Sequence, residues 1–232
     1  MENFDCINYV ITHKPYPVAQ DEMYRKLCVG DYQDDISASE HDGQNIAEYN
    51  GRLNELTGLY WIWMNTVNKY VGLSHYRRYF ENCGHKLDRI GVEDLLVEDG
   101  YDIILSRKTE LPWSLEENIS RTVGKEYSDA MKDSLIKAMK KRRPKSVETF
   151  RKVLAGNRLY ICNMFVTRRE ILDQYCKWLF SFLLEATDKV DFSQAAGYAK
   201  RTAGYYGEVL LTVWMEMHPE LNVYEMPVVR IG

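Results

Sequence analysis

The sequence predicts an α/β fold built on one mixed, mostly parallel central sheet flanked by helices. Three observations carry this. Short apolar runs of strand length alternate with segments of helical period along the chain. No internal repeat or low-complexity linker interrupts the alternation. The 232 residues are 45% hydrophobic, enough for one large core and too apolar for general disorder. The expectation is one domain over residues 1–232, with a first half at 1–110 and a second at 111–232.

Residues 6–12, Cys-Ile-Asn-Tyr-Val-Ile-Thr, read as a first buried strand, and the two prolines of His13-Lys14-Pro15-Tyr16-Pro17 force a loop after it. Asp34, Asp35, Asp42, Gly43, Asn45 and Asn50 give residues 27–51 turn chemistry and an irregular reading. Leu53, Leu56, Tyr60, Trp63 and Val67 then recur at steps of three and four, predicting a helix ahead of a strand at Tyr70–Leu73. A short helix at 92–99, closed by Gly100, precedes a strand at Tyr101–Leu105.

Residues 113–125 show no clean period. Helices follow at 128–143 and 146–155, with Ser128 and Ser146 as N-caps, Pro144 between them and Gly156 as a stop. Leu159 to Val166 reads as a strand, and Thr167-Arg168-Arg169-Glu170 has capping-box spacing before a helix reaching about Ala186. A helix at 203–217, stopped by Pro219, and a strand at Val223–Ile231 complete the chain.

Net charge is −4, which argues against a surface built to coat nucleic acid. The five cysteines, Cys6, Cys28, Cys83, Cys162 and Cys176, form no CxxC pair and are odd in number, against a disulfide framework or a structural zinc site. That usage fits a reducing compartment. The Met-Glu-Asn-Phe-Asp start has no basic or apolar leader pattern, and the greasiest stretch, Trp178 to Leu184, is too short to span a bilayer. A cytoplasmic protein is the expectation. Lys140-Lys141-Arg142-Arg143-Pro144-Lys145 suits a solvated helix end, where cations complement the dipole. It also suits peripheral contact with an anionic membrane face through Lys140, Lys141, Arg142, Arg143 and Lys145.

The densest chemistry lies at residues 70–80, Tyr-Val-Gly-Leu-Ser-His-Tyr-Arg-Arg-Tyr-Phe. A core has no need of His75, Arg77 and Arg78 side by side after a strand. A pocket for an anion does, because arginine offers a planar donor fork and a permanent charge. Ligands of open α/β sheets bind outside the carboxyl ends of strands. The plain alternative is a surface loop with two solvated arginines.

This block, with Tyr9-Val-Ile-Thr-His-Lys-Pro15, Asp42-Gly-Gln-Asn-Ile46, Asn54-Glu-Leu-Thr-Gly-Leu-Tyr-Trp-Ile-Trp63, Asp102-Ile-Ile-Leu105, Asn163-Met-Phe165 and the Gly204–Leu211 region, resembles a bacterial family first catalogued as a domain of unknown function. That family occurs in capsular and exopolysaccharide gene clusters and is generally treated as glycosyltransferases. The resemblance covers nearly the whole chain and implies a GT-A-like, Rossmann-related sandwich. It implies a nucleotide diphosphate sugar donor, with galactofuranose one candidate, and a glycan or lipid-linked oligosaccharide acceptor. The first half would then bind nucleotide-sugar and the second would hold acceptor and catalytic groups. A non-catalytic nucleotide-sugar-binding or scaffold protein is the alternative. The chain departs from the family where Val209 and Leu210 follow Glu208 in place of an Arg-Leu pair, and where residues 106–127 match poorly.

Sugar transfer must stabilise the leaving diphosphate and take a proton from the acceptor hydroxyl. No Asp-x-Asp metal motif follows the Tyr70–Leu73 strand, so no metal or other cofactor is expected. His75, Arg77, Arg78 and Lys14 are the expected diphosphate donors, and Thr12, His13, Asn45 and Asn50 the nucleotide contacts. Glu208 is the expected base, which implies inversion at the anomeric carbon, with Gly207 leaving room for substrate beside it. Its plain alternative is a helix-start carboxylate stabilised by the dipole. Asp102 and Asp191 are lesser candidates for base, and Glu55, Asp102, Asn163 and Tyr205 are the expected sugar or acceptor contacts.

Overall fold

A computed structural model describes residues 4–17 and 22–230. Met1–Asn3 and Ile231 of the sequence expectations lie outside the described residues. Strand β1 (Cys6–Thr12) is buried almost throughout and sits inside the sheet, with β2 (Tyr24–Cys28) parallel on one side. The short β3 (Ala38–Ser39) extends that edge. Sequence periodicity misses β2 because Tyr24-Arg-Lys-Leu-Cys28 carries two cations. Arg25 is exposed, and Lys26 is tied to Asp34 at 2.8 Å.

Helices α1 (Asn50–Leu53) and α2 (Glu55–Asn65) replace the single predicted helix. Asn54 divides them at φ 52°, ψ −126°, a conformation that side chains rarely adopt. The helix stops at Asn65, and Val67, expected on its apolar face, is 92% exposed. Strand β4 (Tyr70–His75) pairs parallel with β1 and turns through Tyr76-Arg77 into β5 (Arg78–Asn82), which forms a hairpin with β6 (His85–Lys86). Helix α3 (Arg89–Glu93), capped by Asp88, continues as a π-helical turn to Glu98 and leads to β7 (Ile103–Ser106).

A two-stranded ribbon of β8 (Thr109–Glu110) and β9 (Arg158–Leu159) brackets three helices. The first, α4 (Leu115–Val123), was not expected, although Leu115, Ile119 and Val123 are its buried face and Ser114 caps it. Helix α5 (Lys125–Arg142) starts before Ser128, which lies inside it and hydrogen-bonds with Tyr206. Ser146 opens α6 (Ser146–Ala155) but accepts from the Trp178 indole and caps nothing.

The predicted 159–166 strand is two pieces. Cys162 and Asn163, at φ 70° and 49°, break it before β10 (Phe165–Arg168). The expected capping box does not form. The Thr167 hydroxyl donates to the Asp102 carbonyl at 2.8 Å, and α7 (Arg169–Phe180) ends one turn before α8 (Leu183–Asp188). A 3₁₀ turn at Gly197–Arg201 runs into α9 (Thr202–Met217), followed by β11 (Val223–Met226) and β12 (Val228–Arg230).

The sheet order is β11-β7-β10-β4-β1-β2-β3, and β10 alone runs antiparallel to its neighbours along it. Second-half strand β10 thus sits between first-half strands β4 and β7, so the two halves share one sheet. Side chains alternate between two apolar layers with period two. Ile11, Leu73, Leu105 and Phe165 pack beneath α2, α7 and α9, while Val10, Ile104 and Val166 face Tyr79, Phe80, Leu95 and Leu96. The chain runs outward from β1 to β3 and then returns to β4 on β1's other side. That reversal leaves a crevice at the carboxyl ends of β1 and β4.

Candidate active site

A cleft of about 1260 Å³ occupies that crevice. Nine of the residues expected to form a site line it: His13, Asn45, Asn50, Glu55, His75, Arg77, Arg78, Tyr205 and Glu208. They come from strand ends, the β3–α1 loop, α2 and α9. Sequence reasoning missed Arg201 and Asn54, which also line it.

The β4–β5 turn presents both arginines. Arg77 lies 4.9 Å from the Tyr76 ring centroid, and Arg78 opens β5 opposite His75. Among the described residues neither guanidinium has an ion-pair partner. Arg201 precedes α9 by one residue, and Gly204 and Glu208 follow it at three and seven positions, all three lining the cleft. The Arg201 Nε donates to the Asn54 Oδ1 at 2.6 Å, and Gly204 is bare where a Cβ would strike the Asn54 amide. Val209 and Leu210 are wholly buried, while Arg201, seven residues before Glu208, lines the cleft.

The Cys162–Asn163 break joins three elements. The Cys162 carbonyl accepts from the His75 Nε2 at 2.6 Å. The Cys162 backbone amide lies close enough to Glu208 to favour its ionised form. The Asn163 Nδ2 donates to the Glu55 carboxylate at 2.7 Å. Three of the four non-glycine residues at positive φ among the described residues, Asn54, Cys162 and Asn163, meet here. Such conformations persist where the surroundings over-determine them, and they cluster at functional sites.

Burial raises the Glu208 pKa to about 7, and the neighbouring Glu55 charge adds to it. The Cys162 amide, Arg78 and Arg201 pull the other way. Burial lowers the His75 pKa against the pull of Glu55 and the Cys162 carbonyl. Burial and adjacent cations also hold His13 below its ordinary value. The Cys162 thiol is pushed up to about 12 by burial and Glu208, which leaves it protonated and a poor nucleophile.

Several expectations need correction. Thr12 is fully buried, and its hydroxyl donates to the Lys14 carbonyl at 2.6 Å, so it is not free for a nucleotide. Lys14 does not line the cleft. Its Nζ lies 5.6 Å from the Tyr76 ring centroid. His75 has its Nε2 committed to Cys162, and a neutral ring then offers only a lone pair at Nδ1, so it is no phosphate donor in that state.

Asn163 is 1% exposed and acts behind Glu55, not on the cleft surface. Asp102 lies at the opposite end of the sheet, its carboxylate held by Arg168 and the Asn222 amide. Asp191 is outside the cleft, and its carboxylate accepts from the Ser193 amide. Gly207 makes room for Leu56 and not for substrate.

Asn45 forms an Asx turn, accepting from the Ala47 amide and donating to the His41 and Gly43 carbonyls. Asn50 ties α1 to Asn54 and Thr57. In the basic run, Lys141 and Arg142 share Glu185, and Arg143 bonds to Ser181 and the Lys177 carbonyl. Among the described residues no three His, Cys, Asp or Glu side chains cluster as a metal site, and no helix is long and apolar enough to cross a membrane.

A family model described as "Domain of unknown function (DUF4422)" matches residues 8–219. Among solved structures, the apo form of the bifunctional glycosyltransferase WbbM is similar over 98% of this chain, with a TM-score of 0.82 and 24% identity. At that identity the likeness speaks for the fold. The chain spans 45% of the length of that structure. No curated protein gives a significant match.

Proposed function

The chain belongs to the DUF4422 family, and from that membership and the chemistry of its cleft we propose that it is a glycosyltransferase. It moves a sugar from a nucleotide diphosphate donor to a glycan or lipid-linked oligosaccharide acceptor. The observation that carries this is the pairing, in one cleft, of two guanidinium groups without carboxylate partners among the described residues and a half-buried carboxyl whose pKa is about 7. The first arrangement suits a diphosphate. The second suits a general base poised near neutral pH.

In this reading Arg77 and Arg78 hold the donor diphosphate and neutralise the charge it gains, in place of a divalent metal. His13, Asn45 and Asn50 border the nucleotide, so the segments before residue 110 hold the donor. Glu208, from the later half, takes the proton of the acceptor hydroxyl. That oxygen bonds to the anomeric carbon as the bond to the phosphate oxygen breaks, and the electron pair leaves with the diphosphate. Attack opposite the leaving group inverts the anomeric centre. Glu55, held by Asn163, faces the transferred sugar, and the His75 Nδ1 can accept from one of its hydroxyls.

The proposed setting is capsular or exopolysaccharide assembly on the cytoplasmic face, with galactofuranose a candidate sugar. Membrane contact through the basic run would rest mainly on Lys140 and Lys145, since Lys141, Arg142 and Arg143 already have partners. The test is a thermal-shift panel of nucleotide diphosphate sugars. A true donor at 100 times its dissociation constant adds about 2.7 kcal/mol of stability. A panel with no stabilising member, and no nucleoside diphosphate that binds, would overturn the proposal.

A further inference from the structure

Resting on the glycosyl-transfer reading, we propose that Tyr198, with Tyr205 behind it, forms the subsite that binds the acceptor's sugar ring. The cleft divides chemically. Arg77 and Arg78, after the end of β4, form one cationic part. The 3₁₀ turn and the start of α9 supply Tyr198 and Tyr205, with Arg201 between them in sequence.

Tyr198 is 61% exposed, and it alone of the large exposed hydrophobic side chains among the described residues lines the cleft. Its ring meets that of Tyr205 edge to face, with centroids 6.4 Å apart. Tyr205 is half-buried and senses the charges of Arg201 and Glu208. Tyr205 and Glu208, three residues apart on α9, line the same cleft.

Geometry decides what this surface takes. An acceptor hydroxyl must come within hydrogen-bond reach of Glu208, so the acceptor lies on whatever surface adjoins that carboxylate away from the phosphate-binding arginines. Here that surface carries Tyr205 and Tyr198 beside Arg201. The C–H face of a hexose ring is apolar while its rim is hydroxylated. A tyrosine matches this with an apolar face and a polar tip, at a low entropy cost because the side chain has few torsions. Gly197, at φ 54°, makes the turn that carries Tyr198 to the rim. The cleft volume of about 1260 Å³ exceeds the roughly 300–1,000 Å³ of a pocket for one small ligand, which leaves space for an acceptor beside a donor.

The experiment uses the full chain with uridine diphosphate present, and methyl hexopyranosides of gluco, galacto and manno configuration as probes. Saturation-transfer NMR and titration are compared for wild type, Tyr198→Ala and Tyr198→Phe. The expected result is saturation of the ring C–H protons in wild type and in Tyr198→Phe. Tyr198→Ala should weaken the preferred glycoside about five- to tenfold while the affinity for uridine diphosphate changes less than about twofold. Equal glycoside affinity in wild type and Tyr198→Ala overturns the subsite. So does a wild type that binds uridine diphosphate but none of the three glycosides. Failure to bind any nucleoside diphosphate or its sugars would instead overturn the glycosyl-transfer reading itself.

Discussion

The His75 imidazole donates its Nε2 proton to the Cys162 carbonyl at 2.6 Å, across 87 positions of sequence. A carbonyl only accepts, so in the neutral ring this bond places the proton on Nε2 and leaves Nδ1 bare. Through the same Cys162–Asn163 break, His75 is joined to Glu208 and Glu55.

The tautomer is directly measurable. Long-range proton–nitrogen NMR of the imidazole should show Nε2 protonated and Nδ1 bare at pH 7. Because the folded-state pKa lies below 6.5, the stability from burying a neutral ring is complete above 6.5 and declines as pH falls through the folded value. His75→Gln should flatten that acid limb of the stability curve. A ring protonated on both nitrogens at pH 7 would refute the assignment.

Glu208 gives the opposite dependence. Its pKa rises from 4.5 unfolded to about 7 folded, so the folded state prefers the protonated form. Ionisation then destabilises progressively from pH 4.5 to about 7 and fully above that. Glu208→Gln removes the liability and should stabilise the protein at pH 8 by on the order of 1–3 kcal/mol, with no gain at pH 4. Denaturant melts at both pH values check this, and an equal change at the two would contradict it.

Asn163 separates backbone from side chain. Asn163→Gly keeps the left-handed conformation available but loses the bond to Glu55, costing about 1.5–3 kcal/mol. Asn163→Ala loses the bond and adds roughly 1–2 kcal/mol of backbone strain. Urea melts should therefore rank wild type above Gly above Ala. A Gly variant as stable as wild type would show that the bond contributes nothing.

Part of this site is legible in the sequence, because its charges are written locally. His75, Arg77 and Arg78 follow one strand within four positions, and Glu208 sits on a helix of plain aromatic and apolar pattern. The alternating strands and helices also give the sheet and its layers. What joins the pieces is not local. Arg201 reaches the cleft by bonding Asn54, 147 positions away. The Cys162–Asn163 break lies inside what reads as one apolar strand, and no glycine marks its positive φ. Thr12 and Asp102 look like strand-end ligands until their partners, Lys14 and Arg168, are seen.

The arginine pair makes a prediction about charge. Arg77→Ala and Arg78→Ala should each weaken uridine diphosphate by about 1.5–3 kcal/mol and leave uridine nearly unchanged. Transfer should also survive a chelator, because fixed guanidinium groups would neutralise the diphosphate. Calorimetric titration of both ligands and turnover with and without EDTA check these outcomes. Unchanged diphosphate affinity in both variants, or full dependence on added metal, would count against the clamp.

The most direct measurement is sugar transfer by Glu208→Gln beside its donor affinity. Glutamine keeps the size of the side chain and its hydrogen-bonding capacity, but it cannot take a proton near neutral pH. Donor binding should stay near wild type while transfer falls by roughly 10²–10⁴-fold. Transfer within a few-fold of wild type would mean that Glu208 is not the base.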